Sequence, residues 1–230
     1  MLILAVDTTT PGGSVALVEG DALLGEANVE SAATHSARLF RSIDFLLGAL
    51  GRDVRAIDAF AAAVGPGSFT GIRIGLGAVK SLAFASGRPV AAVSTLAALA
   101  SKLADGVARP GLVCPFLDAK KGEVYAALFE ARDGRLEEIV PQGAYAPDEF
   151  LARLPAGRPI VFAGSGLEAY GDKVRAALGG QAAWPGRSLF IAAEVGRIGA
   201  ALLREGKTID AASLEPLYFR KSQAEEPCRA

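Results

Sequence analysis

The chain moves between two kinds of apolar spacing. Residues 2–6 form a short continuous apolar run closed by Asp7, the pattern of a strand buried on both faces. Residues 14–18 repeat it after the turn signal Pro11-Gly12-Gly13, and residues 23–29 supply a third strand after Glu19-Gly20-Asp21. The period then becomes helical. Leu39, Phe40, Ile43, Leu46, Leu47 and Leu50 fall on one helical face, with Thr34 or Ser31 to cap the start and Gly51 to end it. A buried strand over 59–64 leads into the turn Gly65-Pro66-Gly67-Ser68-Phe69-Thr70-Gly71. A helix over 72–85, stopped by Gly87, a strand over 89–93 and a helix capped by Ser94 or Thr95 complete the first half.

Residues 105–111 mix Asp, Gly, Arg and Pro and mark the expected boundary between lobes 1–108 and 109–230. Beyond it the opening theme returns. Residues 112–117 end in Asp118, Lys120-Lys121-Gly122 makes a turn, and 124–130 is the answering strand. Asp133-Gly134 turns into a strand over 136–140, followed by a helix over 147–154, a strand over 160–163 and a helix over 167–178. The final helix, over 190–204, has either lobe open to it, the first included. Two copies of one theme indicate a duplication rather than a solenoid array. Right-handed connections then place helices on both sheet faces. The expected fold is α/β: two ribonuclease-H-like lobes on the plan shared by actin, sugar kinases and Hsp70.

With 51% hydrophobic and 21% charged residues among 230, the chain is a folded protein, not a disordered one. A net charge of −1 gives no basic surplus for gripping nucleic acid alone, so any RNA contact is expected to run through a partner. Cys114 and Cys228 make no disulfide framework and suit a reducing compartment. No apolar run approaches the ~20 residues of a membrane span, and the N-terminus lacks a basic leader region. The expectation is a cytoplasmic protein.

Candidate chemistry is sparse. Asp7 at a strand end could hold a Mg²⁺-bound water, and the backbone of the 10–13 turn, with Thr10, Gly12 and Gly13, could face phosphates. The alternative is a plain hairpin whose Asp fixes its own turn. The 65–71 turn lacks the third glycine of G-x-G-x-x-G, where Thr70 stands, and the run ending Val79-Lys80-Ser81 has valine where the Walker pattern needs glycine. One histidine, His35, cannot build a two-histidine zinc helix. Ser165 is flanked by Ala163 and Leu167, not by the glycines of a nucleophile elbow. Gly75, Gly77 and Ala78 read as a helix face cleared for close approach by a neighbour.

Six blocks, in order, resemble the TsaB (YeaZ) family over nearly the whole length: Asp7-Thr8-Thr9 with Ser14-Val15-Ala16-Leu17; Thr34-His35-Ser36; the 65–75 run Gly-Pro-Gly-Ser-Phe-Thr-Gly-Ile-Arg-Ile-Gly; Val93-Ser94-Thr95-Leu96; Asp118-Ala119 with Gly122-Glu123-Val124-Tyr125; and Glu215-Pro216-Leu217-Tyr218-Phe219-Arg220. The chain departs from relatives at Phe40-Arg41, where many read Leu-Pro.

The resemblance implies a non-catalytic, actin-like scaffold for TsaD, a paralogue whose histidine metal motif this chain lacks. TsaE, an ATPase, joins the pair, and TsaC supplies threonylcarbamoyl-AMP. The complex transfers the threonylcarbamoyl group to the adenosine beside the anticodon in tRNAs reading codons that begin with A. No cofactor is implied for the chain itself, with ATP or ADP and Mg²⁺ at the subunit junction left open. The alternative is an actin-like ATPase or small-molecule kinase using Asp7, with Asp118 as base by symmetry. The first-lobe helices are implied as the pairing surface, for TsaD or for a second copy. On that basis His35, Ser36, Leu39, Arg73, Gly75, Leu76, Ala78 and Val79 are the expected interface, and Gly75→Leu is expected to weaken TsaD binding without unfolding the chain.

Overall fold

The computed structural model describes residues 1–10, 12–30, 35–108 and 111–219, with the backbone alone for 35–37. Two five-stranded mixed sheets organise these residues. The first half runs β1 (Leu2–Asp7), β2 (Gly13–Glu19), β3 (Ala22–Val29), α1 (His35–Ala49), β4 (Ala59–Gly65), α2 (Phe69–Ser86), β5 (Val90–Ser94) and α3 (Thr95–Ala104). Its sheet order is β3-β2-β1-β4-β5. β1 pairs antiparallel with β2 and parallel with β4, so the central strand carries Asp7 to its C-terminal end.

Strand alternation assigns the two faces. Leu2, Leu4, Val6, Leu17 and Phe60 cluster with Leu39, Ile43, Leu46, Ile72, Leu76 and Val79 of α1 and α2. The opposite face takes α6 (Ala192–Arg204). There Gly196 lies against Val18 and Ala5, and Gly199 against Ala61 and Ala91; side chains at either glycine would lift the helix off the sheet. Past α6 the chain returns to the first sheet. Ile209 and Val90 exchange backbone hydrogen bonds of 2.8 Å in both directions, and the Leu217 N–H donates to the Val64 carbonyl at 2.8 Å. The Ile209 bridge pairs Val90 on the β5 edge, which would otherwise offer open ladder groups there, and the Leu217 bond lies on β4.

The second half repeats the order with β6 (Gly111–Lys120), β7 (Glu123–Arg132), β8 (Arg135–Tyr145), α4 (Pro147–Leu151), β9 (Ile160–Ala163), α5 (Gly166–Leu178) and β10 (Ala182–Ala183). Its sheet order, β10-β9-β6-β7-β8, matches the first strand for strand. This is the duplicated ribonuclease-H-like arrangement. The core here is Phe116, Phe150, Phe162 and Val174 among others, with Phe116 and Phe162 edge to face at 6.1 Å.

Contacts divide the described residues into one unit of Met1–Ala98 with Phe190–Leu217 and another of Leu99–Leu189 with Tyr218 and Phe219. The division falls inside α3, ahead of the 105–111 stretch. α2 begins three residues before the apolar spacing does, because the Ser68 hydroxyl caps it by accepting from the Gly71 N–H at 3.2 Å. Gly87 ends it in the left-handed conformation at φ 65°. β8 extends past Val140 through Pro141, which an edge strand tolerates. Asp118 lies within β6 rather than closing it.

Candidate functional site

The two strongest sequence blocks meet in space. Asp7 closes β1, and its Oδ1 accepts from the Thr9 N–H at 2.9 Å and the Thr9 hydroxyl at 2.6 Å. That fixes the turn leaving the strand. The Thr9 carbonyl then accepts from the Ser68 N–H at 2.7 Å, and the Thr8 hydroxyl donates to the Gly71 carbonyl at 2.7 Å. Glycines at 67, 71 and 75 fall at successive four-residue steps, along the turn and one face of α2, and each faces this turn. A β-carbon at Gly67 would overlap the Thr9 carbonyl, at Gly71 the Thr8 carbonyl, and at Gly75 the Thr8 hydroxyl. The glycines of the 65–75 run therefore make room for Asp7-Thr8-Thr9. Each block explains the composition of the other.

Asp7 is fully buried. Burial pushes its carboxyl up to about 6, against the two hydrogen bonds from Thr9 that lower it, with the charge of Glu26 adding a smaller upward push. Its Oδ2 has no hydrogen-bond partner among the described residues. A folded-state value above the unfolded one favours the native state when the group is protonated. That contribution is complete below about 3.8 and is lost as the pH rises through about 6. Between pH 7 and 5 the chain should gain about 1 kcal/mol from this group. Asp7→Asn keeps an acceptor for Thr9 and removes the titration. Urea midpoints at the two pH values should converge in the variant, relative to the wild-type gain; an identical pH response in both would assign it to other groups.

The expected docking residues are placed differently. Leu39, Gly75, Leu76, Ala78 and Val79 are buried in the chain's own core. Gly75 makes room for Thr8 and Ala78 packs in the core, so these five are corrected to packing positions; Gly77, the third small residue of α2, is exposed with nothing within 4 Å of its β-carbon position. Arg73 is exposed, with its guanidinium 3.8 Å from the Phe69 ring centre. The side chains of His35 and Ser36 lie outside the described residues, as do the Thr34 and Ser31 caps.

Among the residues α1 and α2 turn outward are three phenylalanines. Phe45 on α1 is 70% exposed and Phe84 on α2 is 84% exposed; Phe40, counted into the apolar stripe from sequence, is 47% exposed. Sequence reasoning missed Phe45 and Phe84 as a site. The signal was there: both are large apolar residues off the core-facing stripe.

Of the 10–13 stretch, the described residues Thr10, Gly12 and Gly13 offer little to a phosphate. The Thr10 hydroxyl donates to the Gly12 carbonyl at 2.8 Å, and Gly13 already pairs with Val29 across β2 and β3. Gly12 is buried, with the Phe190 ring over it. In the second unit, Asp118 is ion-paired to Lys120 at 2.6 Å. Burial pushes its carboxyl up, but the Lys120 hydrogen bonds and charge prevail and hold it below the usual range, which suits a structural ion pair better than a base. Among the described residues no cluster of three His, Cys, Asp or Glu could hold a metal ion. Nor is any described helix long and apolar enough to cross a membrane.

Known proteins resemble the chain along its length. The family model described as "TsaD: tRNA N6-adenosine threonylcarbamoyltransferase" matches residues 29–228. The "tRNA threonylcarbamoyladenosine biosynthesis protein TsaB" of Bacillus subtilis (strain 168) is 31% identical over 98% of this chain and 96% of its own. The protein of that name from Escherichia coli (strain K12) is 32% identical over 97% and 96%. The solved structure of YeaZ from Pseudomonas aeruginosa superposes with a TM-score of 0.82 at 29% identity, covering 94% of this chain and 99% of that one.

Proposed function

Because the chain belongs to the TsaB family, we propose that it serves tRNA threonylcarbamoyladenosine biosynthesis as a non-catalytic docking subunit for the TsaD-type transferase. One observation carries the reading. Asp7, the candidate for holding a Mg²⁺-bound water, is engaged by Thr9, and the glycines at 67, 71 and 75 are taken up by the Thr8-Thr9 turn inside the fold. Large apolar side chains instead face outward from α1 and α2. Exposed phenylalanines on one layer are what a partner-binding face requires. The partner is a TsaD-type chain, with TsaE joining the pair. When TsaD is absent, the same face supports pairing of two copies. Contact with tRNA runs mainly through the assembly, in keeping with a net charge of −1.

The test is reconstitution. Purified TsaC, TsaD and TsaE are combined with ATP, threonine, bicarbonate and unmodified tRNA, with and without this chain, and threonylcarbamoyladenosine is quantified. Product that depends on the chain is the expected result. Equal product without it would remove the docking role.

A further inference from the structure

We infer that the 207–217 segment is a brace on α2 that opens on its own, and that its closure and the docking of a partner on α1 and α2 favour one another. Between α6 and Leu217 the chain forms neither helix nor strand beyond the bridge of Ile209 to Val90. It nonetheless follows α2 from one end to the other, in the opposite direction. Ile209 pairs with Val90, just past the Gly87 cap. The Ala212 carbonyl accepts from Lys80 Nζ at 3.3 Å, past the middle of the helix. The Leu217 N–H donates to the Val64 carbonyl. The Leu217 carbonyl stands 2.7 Å from the β-carbon position of Gly65, ahead of the Ser68 cap. Gly65 has φ 116°, so another residue there would be strained as well as crowded.

Two side chains seat the brace. Leu214 is fully buried and Ala211 nearly so, and both belong to the core cluster that holds Ile72, Leu76, Val79 and Ala83 of α2. The Thr8-Thr9 turn fixes α2 at Gly71 and Gly75, and the loop ahead of it at Gly67. The half beyond Gly75, which carries the outward Phe84, rests on the cluster that Ala211 and Leu214 complete. Among the described residues three backbone hydrogen bonds tie the segment to the first sheet, two at Ile209 and one at Leu217. A segment held so lightly opens at lower free energy than the strands beneath it. Opening uncovers the flank of α2 and loosens the half with Phe84. The coupling is reciprocal: closure that favours docking is itself favoured by docking, by the same factor. This coupling rests on the proposed docking role; the brace itself does not.

Hydrogen exchange on the full chain, alone and with the TsaD-type partner, tests both parts. In wild type the Val90, Ile209 and Leu217 amides should exchange faster than those of β1 and β2. Equal rates would show that the segment opens only with the whole unit, and would overturn the brace. Leu214→Ala should quicken those three amides and the α2 amides beyond Gly75 by about tenfold or more, with β1 and β2 unchanged. A rise shared by the whole unit would overturn it too. In the folded variant, calorimetry should show partner affinity lower by about fivefold or more, and bound partner should slow the three wild-type amides by at least about fivefold. A merely structural Leu214 would move neither. Quickened amides with unchanged affinity would overturn the coupling. A wild type that binds no partner would remove the coupling together with the docking role, while exchange in the free chain still decides the brace. Should the alanine variant not fold, Leu214→Val makes the same comparisons with less lost packing.

Discussion

Gly75→Leu is expected to cost the folded chain about 3–5 kcal/mol, combining overpacking with the loss of a buried hydrogen bond. The new side chain has no free direction. Its first carbon falls on the Thr8 hydroxyl, which is buried and donates to the Gly71 carbonyl. Thr8 cannot yield alone, because Asp7 and Ser68 fix Thr9 beside it. A loss of that size is a large share of the 5–15 kcal/mol typical of a domain. Gly77→Leu, two residues along the same helix, is the control. Nothing lies within 4 Å of its β-carbon position, and leucine is a better helix former than glycine by roughly 0.5–1 kcal/mol. Urea denaturation of the two variants should move in opposite directions. Equal midpoints would show that the turn gives way and that the contact does not fix α2. The result also revises what the sequence suggested for Gly75→Leu, a loss of partner binding in an intact fold. Unfolding is expected first.

That revision shows how far the sequence was legible. The duplicated layout could be read because continuous apolar runs, turn glycines and one helical stripe per helix each leave a local signal. β10, at two residues, leaves none. The helix face was misread for a physical reason. A run of small residues states that something approaches closely, but not what. Leu76 and Val79 share the buried side with Gly75, and their hydrophobicity marked that side as the chain's own core. Phe45 and Phe84 break the stripe, and a large apolar residue on the polar side of a helix is the less ordinary event. The Asp7 turn could be read as an Asx-type anchor or as a cradle. Choosing between them required Phe190, which lies 178 positions beyond Gly12 and which no local pattern connects to it.

Phe45→Glu combined with Phe84→Glu is expected to weaken binding of the TsaD-type partner by at least about 100-fold, while leaving the chain as stable as wild type. Aromatic residues at the centre of an interface commonly contribute about 2 kcal/mol or more each, and two such losses exceed the 2.7 kcal/mol that a 100-fold change represents. The fold should not register the change. Both rings are largely in water, surface substitutions usually stay within about 0.5 kcal/mol, and glutamate suits a helix better than phenylalanine. Binding by calorimetry and stability by urea denaturation would thus separate, the reverse of the outcome for Gly75→Leu. Ile139→Glu on β8 provides the comparison: it is 44% exposed but belongs to the second unit, and should leave binding unchanged. In the reconstituted reaction the double variant should behave like omission of the chain. If it binds and supports modification as wild type does, the outward face of α1 and α2 is not the docking surface, whatever role the chain plays in the pathway.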